Sequence, residues 1–287
     1  MNFKILALLS IILTSLAPVS AWGEDGGSFS KFTEPLWEIG VGGGAFYTPD
    51  YPASDKNSLH GLALPYLIYR GDFLRIGRDS ILKGVFFDTD IVEFDISAAA
   101  SFNSSSDDND ARRGMPDLDY LFEIGPQLKI KLGAAYGGRA ELQLPFRAVF
   151  STDITRIDHR GYLFNPKIAY RKQNLFRKNI DMDCSISSGF ATKNLHEYFY
   201  RVAPQYATET RPAYEADSGY LGSRLTFGLS YDITEHLRAY VGGGIGYYGG
   251  AVNQRSPLFR QEITTSVHAA LTWSLFQSKT RVPSSRQ

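Results

Sequence analysis

Apolar and polar residues alternate with a period of two along most of the chain, in segments longer than the strands of most soluble sheets. In residues 221–231, the odd positions are apolar except Ser223, and the even positions are Gly, Arg, Thr, Gly and Ser. The same alternation recurs in residues 91–102, 119–132 and 136–149. Each segment is therefore predicted to form a β-strand with one apolar face and one polar face.

The alternation predicts twelve strands, separated by short segments rich in turn residues. They lie near 36–47, 60–69, 72–77, 80–87, 91–102, 119–132, 136–149, 161–171, 179–190, 219–231, 235–248 and 262–276. An even number is what a closed antiparallel barrel needs if both chain ends are to lie on one side of a membrane. We therefore predict an all-β protein that folds as a closed antiparallel transmembrane β-barrel of about 12 strands.

The connections between these strands alternate in length. The long ones run near 47–60, 103–118, 150–160, 191–218 and 249–261, and the short connection at 78–80 is the exception in that set. The others are turns of a few residues, such as Gly133-Ala134-Ala135 and Asp232-Ile233-Thr234. Outer-membrane barrels combine long extracellular loops with short periplasmic turns, and the pattern predicts the same arrangement here.

The chemistry of the bilayer explains why the sheet should close. In hydrocarbon, an open sheet edge leaves backbone groups unpaired at high cost, so strands span a membrane only as a closed barrel. The apolar faces then contact lipid, which in the last strand places Trp273 and Leu275 outward and Phe276 toward the lumen. Aromatic residues near strand ends suit the two interfaces: Trp37, Tyr47, Tyr66, Tyr69, Tyr162, Tyr170, Tyr231, Tyr247 and Trp273. The alternative is a secreted β-sandwich, whose strands also alternate but are usually shorter.

The N-terminus has the features of a secretory signal peptide. Lys4 precedes an apolar stretch at residues 5–18, and Val19-Ser20-Ala21 is a small-x-small cleavage site. We expect residues 1–21 to be the signal peptide and 22–35 a periplasmic N-terminal segment. Residues 36–276 would then form the outer-membrane barrel, and 277–287 a polar C-terminal tail. The predicted location is the bacterial cell outer membrane.

Composition narrows the functions that the chain can have. The 30 basic and 30 acidic side chains give a formal net charge of zero, which excludes nucleic-acid binding driven by bulk charge. Cys184 is the single cysteine, the five histidines are dispersed, and the glycine runs at 42–44 and 242–246 lack the Lys-Ser/Thr of a phosphate-binding loop. We therefore expect no catalytic residue, no cofactor and no metal site. The acidic cluster of Asp107, Asp108 and Asp110 is interpreted as a solvated loop, with a divalent cation that bridges lipopolysaccharide phosphates as the alternative.

Charged residues on the polar faces are the most informative group. The candidates for lining the lumen are Glu123, Lys129, Arg139, Glu141, Arg147, Asp181, Asp183, Arg224 and Arg238, with Glu38, Glu93, Asp95, Lys131, Lys167 and Arg171 on the same phase. Buried without water or a partner, such charges would be costly. Either they pair across a plugged lumen or they line a narrow, wet path, because a twelve-stranded barrel is intermediate between filled and open barrels.

Several motifs together resemble the MipA/OmpV family of outer-membrane proteins. The similarity is carried by the segment GAFYTPDYPASD at 44–55, Leu64-Pro65-Tyr66, residues 69–73, the acidic loop at 107–119, residues 212–216, Ser256-Pro257-Leu258 and the closing Leu275-Phe276. The resemblance covers essentially the whole chain after the signal segment. It implies an outer-membrane barrel.

The family resemblance also implies a range of functions. The family's named member is a scaffold that joins a murein-degrading lytic transglycosylase to a murein synthase, which would make these enzymes the periplasmic partners and outer-membrane lipid and lipopolysaccharide the surroundings. Other members are linked to osmotic response, adhesion or solute passage. The leading hypothesis is a non-enzymatic envelope scaffold, and the alternative is a narrow channel for small solutes or ions. A third hypothesis, a lipid-modifying enzyme, would need Ser and His side by side on the outer wall.

Overall fold

The computed structural model describes residues 33–77, 80–176 and 179–283. The predicted signal segment, residues 1–21, lies outside the described residues. The strands of the first half are β1 Thr33–Pro35, β2 Trp37–Pro49, β3 Asn57–Arg70, β4 Leu74–Gly77, β5 Ser80–Asp88, β6 Val92–Ser101 and β7 Tyr120–Ala135. The second half contains β8 Gly138–Thr152, β9 Ile157–Phe164, β10 Lys167–Lys172, β11 Ile180–Ala191, β12 Gly219–Asp232, β13 Leu237–Tyr247, β14 Ile263–Gln277 and β15 Arg281–Pro283, with helix α1 Lys193–Tyr200 and a 3-10 helix Pro204–Tyr206 before β12.

The strands β2 to β14 form one antiparallel sheet that closes on itself. Neighbouring strands along the chain pair with each other, and β14 pairs with β2. Strands β9 and β10 are two halves of one stave, because β8 and β11 each pair with both of them. The barrel therefore has twelve staves, which confirms the predicted closed antiparallel barrel.

Pro166 explains the interruption of that stave. Proline has no backbone N–H, so it cannot take part fully in the ladder of a central strand. The surrounding groups still find partners, since the Asn165 N–H donates to Pro145 O at 3.2 Å and the Ser188 N–H donates to Pro166 O at 3.0 Å. The stave bends without opening the barrel.

The two ends of the barrel differ as the sequence predicted. At one end, which we name the long-loop end, the connections span residues 50–56, 102–119, 192–218 and 248–262. The connection at 153–156 at this end is shorter than predicted, because β8 continues to Thr152 and β9 begins at Ile157. At the other end, the short-turn end, the strands are joined by turns such as 89–91 and 136–137. Among the described helices, none is both long and apolar enough to cross a membrane.

The outer surface is apolar, and it corrects two of our predictions. Residue Tyr66, expected at an interface, is only 9% exposed and lies inside against Gly40. Strand β3 is apolar on both faces, so hydrophobicity alone could not assign its orientation. Residue Phe276, expected inside, is 66% exposed because a β-bulge between Ser274 and Phe276 shifts the register by one residue.

Candidate functional site: the barrel lumen

A buried ion-pair network lies on the inner wall of the barrel, where strands β4 to β7 lie side by side. Residue Glu93 accepts contacts from Lys83 Nζ at 2.7 Å, Lys129 Nζ at 3.1 Å and Arg75 Nη1 at 3.4 Å. Asp95 lies 3.2 Å from the same Lys129 and is fully buried. These charges come from inward positions of adjacent strands, where cross-strand neighbours are close enough to pair. We name Arg75, Lys83, Glu93, Asp95 and Lys129 the ion-pair layer.

Further charged pairs line the rest of the inner wall. Arg147 Nη1 lies 3.3 Å from Glu123, and its Nε donates to Ser97 Oγ at 3.0 Å. On the same strand β8, Glu141 lies 3.7 Å from Arg171 Nε of the neighbouring β10. Opposite charges that pair inside a barrel avoid the desolvation cost of an isolated ion.

The remaining predicted lumen residues are distributed as follows. Arg238 pairs with Asp232 and lies 3.8 Å from Asp181. Arg139 and Asp183 are the cross-strand neighbours of Arg171, one on β8 and the other on β11. Arg224 stands apart from these pairs, because its guanidinium contacts the Ser266 hydroxyl instead of a carboxylate.

Sequence reasoning missed Arg70, Arg75 and Lys83, three basic residues of the inner wall. Arg75 and Lys83 belong to β4 and β5, the two strands that alternate poorly. The available signal was charge complementarity, since the acidic pair Glu93 and Asp95 on the next strand required basic partners. Such a signal becomes specific only when the strand register is known.

Arg70 anchors the N-terminal strand β1 at the short-turn end. Its side chain is 2% exposed and binds Glu34 at 2.8 Å, Glu38 at 2.6 Å and the Pro35 carbonyl at 2.7 Å. Strand β1, which contains Glu34, pairs with β15 in a separate two-stranded sheet. We name this sheet with Arg70 the terminal platform. The predicted polar tail therefore begins with residues that continue β14 and then pair with β1.

At the long-loop end, the connection between β11 and β12 folds over the lumen. We name residues 192–218 the plug. Its helix α1 places Leu195 and Phe199 against Leu121, Val149 and Leu163, which point inward from β7, β8 and β9. This apolar cluster is built from a loop and from strand ends. It covers one side of the lumen with side chains that carry no charge.

Hydrogen bonds attach the plug to the three other long loops. Tyr200 Oη donates to Pro52 O at 2.9 Å, and Ser256 Oγ donates to Tyr200 O at 2.7 Å. Arg112 Nη1 donates to Phe199 O at 3.2 Å. The plug is thus held from the loops at 50–56, 102–119 and 248–262.

Burial shifts the protonation of the plug's side chains. It lowers the pKa of His196, whose Nε2 lies 3.1 Å from Gly219 O and whose buried Nδ1 has no hydrogen-bond partner among the described residues. It raises the pKa of Tyr198 to about 12, with the nearby Asp119 adding to the effect, and raises the pKa of Tyr200. The plug therefore packs with neutral rings at physiological pH.

The acidic cluster beside the plug is organised by hydrogen bonds and ion pairs. Asp110 pairs with Arg113, and Asn109 Nδ2 donates to Asp50 at 2.7 Å. Within residues 33–77, 80–176 and 179–283, no group of three His, Cys, Asp or Glu side chains is placed to hold a metal ion.

A cavity of about 410 Å³ lies in the lumen between the plug and the inner wall. It is lined from opposite sides of the barrel, by Phe46 of β2, Val149 of β8 and Arg224 of β12, and it is roofed by Leu195 and Phe199 of α1. The lumen is therefore neither an open pore nor completely filled.

Comparison with known proteins places the chain in a family. The family model described as MltA-interacting protein MipA matches residues 41–275, which is most of the chain and nearly the whole barrel. The chain belongs to the MipA family. The MipA resemblance drawn from the motifs is thereby confirmed. No curated protein matches this MipA-family chain significantly.

Solved structures similar to this MipA-family barrel include three with very low sequence identity. A structure titled CymD monoaromatic hydrocarbon channel has a TM-score of 0.35 at 9% identity, covering 86% of this chain and 90% of that one. A FadL homologue of Pseudomonas aeruginosa gives 0.33 at 7% identity, with 85% and 91% covered. OccD3 (OpdP) of Pseudomonas aeruginosa gives 0.24 at 8%, with 86% and 94% covered. Similarity this distant carries no argument about function.

Proposed function

We propose that this MipA-family barrel is a non-enzymatic scaffold of the bacterial outer membrane that binds a murein-processing enzyme at its periplasmic face. The observation that carries the proposal is the terminal platform, where buried Arg70 holds β1 against the barrel and β1 in turn pairs with β15. An ordered, rigid surface binds a partner with a smaller entropy cost than loose chain ends would.

The orientation follows from the asymmetry of the connections. Outer-membrane barrels place their short turns in the periplasm, which would put the short-turn end and the terminal platform on the side where murein lies. Lipid and lipopolysaccharide would surround the apolar outer wall, and the plug would face the exterior. The family description names MltA as a partner of the protein for which the family is named. We therefore propose a murein transglycosylase as the bound enzyme and a murein synthase as the second component.

The absence of a suitable dyad on the outer wall supports a non-enzymatic role. The outward-facing His159 stacks with Phe150 and Tyr162 at 5.3 and 5.1 Å between ring centroids. No contact in the described part of the chain joins a histidine ring nitrogen to a serine hydroxyl, which is the arrangement that a lipid hydrolase requires.

A gated channel for small solutes is the second candidate, because the cavity under the plug favours it. The space lies in the half of the lumen nearer the long-loop end, and it would become a passage if the plug opened on one side and the ion-pair layer rearranged on the other. Two separate closures would have to move, so a permanently open pore is disfavoured.

The scaffold proposal is tested by measuring the binding of a purified murein transglycosylase to the folded chain in lipid nanodiscs. Truncation after Ser278 removes β15 and leaves the twelve staves, and we expect it to weaken binding by about tenfold or more, which corresponds to about 1.4 kcal/mol. As a matched control, replacement of residues 207–212 in the plug alters the opposite end and should leave binding unchanged. Absence of binding by the intact chain, or equal binding by the truncated one, would overturn the proposal.

A further inference from the structure

We propose that the cavity beneath the plug is a binding site for a small, ring-bearing carboxylate, with the ring held by an aromatic wall and the carboxylate by Arg224. The inference does not depend on the scaffold role. The cavity volume of about 410 Å³ lies near the lower end of the range for small-molecule sites.

One wall of the cavity is a continuous surface of rings. His60 and Phe102 are stacked at 4.5 Å with an interplanar angle of 3°, and Phe102 lies 5.3 Å from Phe46. Phe46 in turn stacks on His268 at 6.2 Å. These four residues come from separate segments of the barrel, and together they form an aromatic cluster against which another ring can pack.

Arg224 is the basic residue that lies next to this aromatic wall. It lines the cavity close to His268, and its guanidinium contacts the Ser266 hydroxyl. Within the part of the chain that the structure describes, no carboxylate pairs with it. An arginine in a largely apolar cavity, bound to a neutral hydroxyl alone, can take the two oxygens of a carboxylate in a bidentate pair.

The acidic residues of the lining do not contact Arg224 in the described part of the chain. Glu123 pairs with Arg147 at 3.3 Å. Asp50 accepts hydrogen bonds from Ser58 Oγ at 2.6 Å and Asn109 Nδ2 at 2.7 Å. Asp119 lies in the loop at 102–119, where Arg160 and Arg156 are its basic neighbours. Arg224 is therefore the one lysine or arginine side chain among the described lining residues, and its guanidinium is not occupied by any of these carboxylates.

The glycine run of β13 makes room for this arrangement. A Cβ atom at Gly244 would lie 3.1 Å from Arg224 Nε, and one at Gly242 would lie 2.7 Å from His268 Nε2. The side chains from β12 and β14 thus lie flat across β13 instead of filling the lumen. The glycines at 242–246, which carry no nucleotide-binding signature, instead keep the cavity open.

The experiment measures binding of defined probes to the folded chain in lipid nanodiscs by calorimetry and saturation-transfer NMR. The probes are benzoate, cyclohexanecarboxylate, benzyl alcohol and octanoate. We expect the two ring carboxylates to bind saturably, and benzyl alcohol to bind about tenfold more weakly or worse, the change expected from losing a charge-assisted hydrogen bond. Arg224→Gln should reduce benzoate binding by the same factor, and Arg224→Lys should restore part of it.

Two further variants separate the site from general effects on the lumen. Thr226→Phe adds a ring to the cavity lining and should weaken all ring probes, with or without charge. Arg139→Gln, which removes an inner-wall arginine outside the cavity lining, should leave benzoate binding unchanged. The heat-dependent gel mobility typical of a folded barrel must be retained in each variant.

Four outcomes would overturn the proposal. Equal binding of benzoate and benzyl alcohol, or unchanged benzoate binding in Arg224→Gln, would remove Arg224 from the site. Tighter binding of octanoate than of either ring carboxylate would assign the cavity to a linear acyl chain. The absence of saturable binding by all four probes would show that the cavity is not a site for this class of ligand.

Discussion

At the long-loop end the lumen is covered by Leu195, Phe199 and Tyr200, whereas nearer the short-turn end the inner wall carries the buried charges Glu93, Asp95 and Lys129. The apolar contacts come from the plug, a connection between two strands. The charged contacts come from inward positions of the strands themselves. The plug can therefore separate from the barrel without breaking any strand pairing, whereas the ion-pair layer is part of the barrel's folded structure.

The energetics of the two regions differ in the same way. Loss of an apolar contact in the plug costs the transfer and cavity terms of that side chain. Loss of one partner in the ion-pair layer leaves other charges buried without compensation, which is more costly. The following predictions test this difference, beginning with the largest expected effect.

Glu93→Ala should be the most destabilising single change, because it leaves Lys83 and Lys129 without their shortest contact and Arg75 without one of its two carboxylates. We expect the free energy of unfolding to fall by about 3–5 kcal/mol. Reversible urea unfolding in lipid vesicles measures it. The control is Asp158→Ala, which breaks exposed pairs with Arg156 and Arg160 and should cost about 0–1 kcal/mol. Similar losses in the two variants would contradict the role of burial.

Leu195→Ala should act on the plug and not on the barrel. Leu195 is 2% exposed, and its truncation should lower the free energy of opening of α1 by about 3 kcal/mol, while strand pairing is retained. Amide hydrogen exchange of α1 and of β12 measures the two effects separately. Val252→Ala, at a loop position that is 40% exposed, should change neither by more than about 0.5 kcal/mol. Equal loss of protection in α1 and β12 would mean that the plug and the barrel unfold together.

Acid should weaken the plug through His196, by less than the truncation of Leu195. Burial lowers the pKa of His196, so the ring is neutral in the closed plug, whereas in the opened plug it takes up a proton near its ordinary pKa of about 6.5. The opened state then binds more protons, and the plug's stability is complete above about pH 6.5 and decreases as the pH falls toward the lowered pKa. The adjacent Tyr200 ring, 6.0 Å away, is neutral throughout this range.

Hydrogen exchange of α1, corrected for the intrinsic rate, measures this effect at about pH 7.5 and about pH 5. His196→Gln retains a donor for Gly219 O and should remove the difference between the two values. An unchanged pH response in that variant would assign the effect to another group.

The barrel itself was predictable from sequence, and the contents of its lumen were predictable only in part. Period-two alternation follows from a wall with lipid on one side and water or charge on the other, so strands such as β12 are evident. The pairing of Arg147 with Glu123 depends on strand register, which alternation does not specify. The bulge before Phe276 and the inward Tyr66 are local exceptions that alternation also cannot identify.

The periodic pattern of apolar residues could not predict the plug or the terminal platform. Helix α1 has eight residues, too few for a helical pattern to be distinguished from a loop, and it is stabilised by contacts of Leu195 and Phe199 with distant strands. Strands β1 and β15 have three residues each; β1 is held by Arg70, and β15 is held by pairing with β1. Short elements of this kind depend on tertiary contacts, so the sequence of each element carries little information.

The most direct test of the account is the ion conductance of the folded, unmodified chain in planar lipid bilayers at neutral pH. With the plug at one end and the ion-pair layer toward the other, the account predicts no steady current above that of the bare bilayer. A steady open-channel current from the unmodified chain would contradict it.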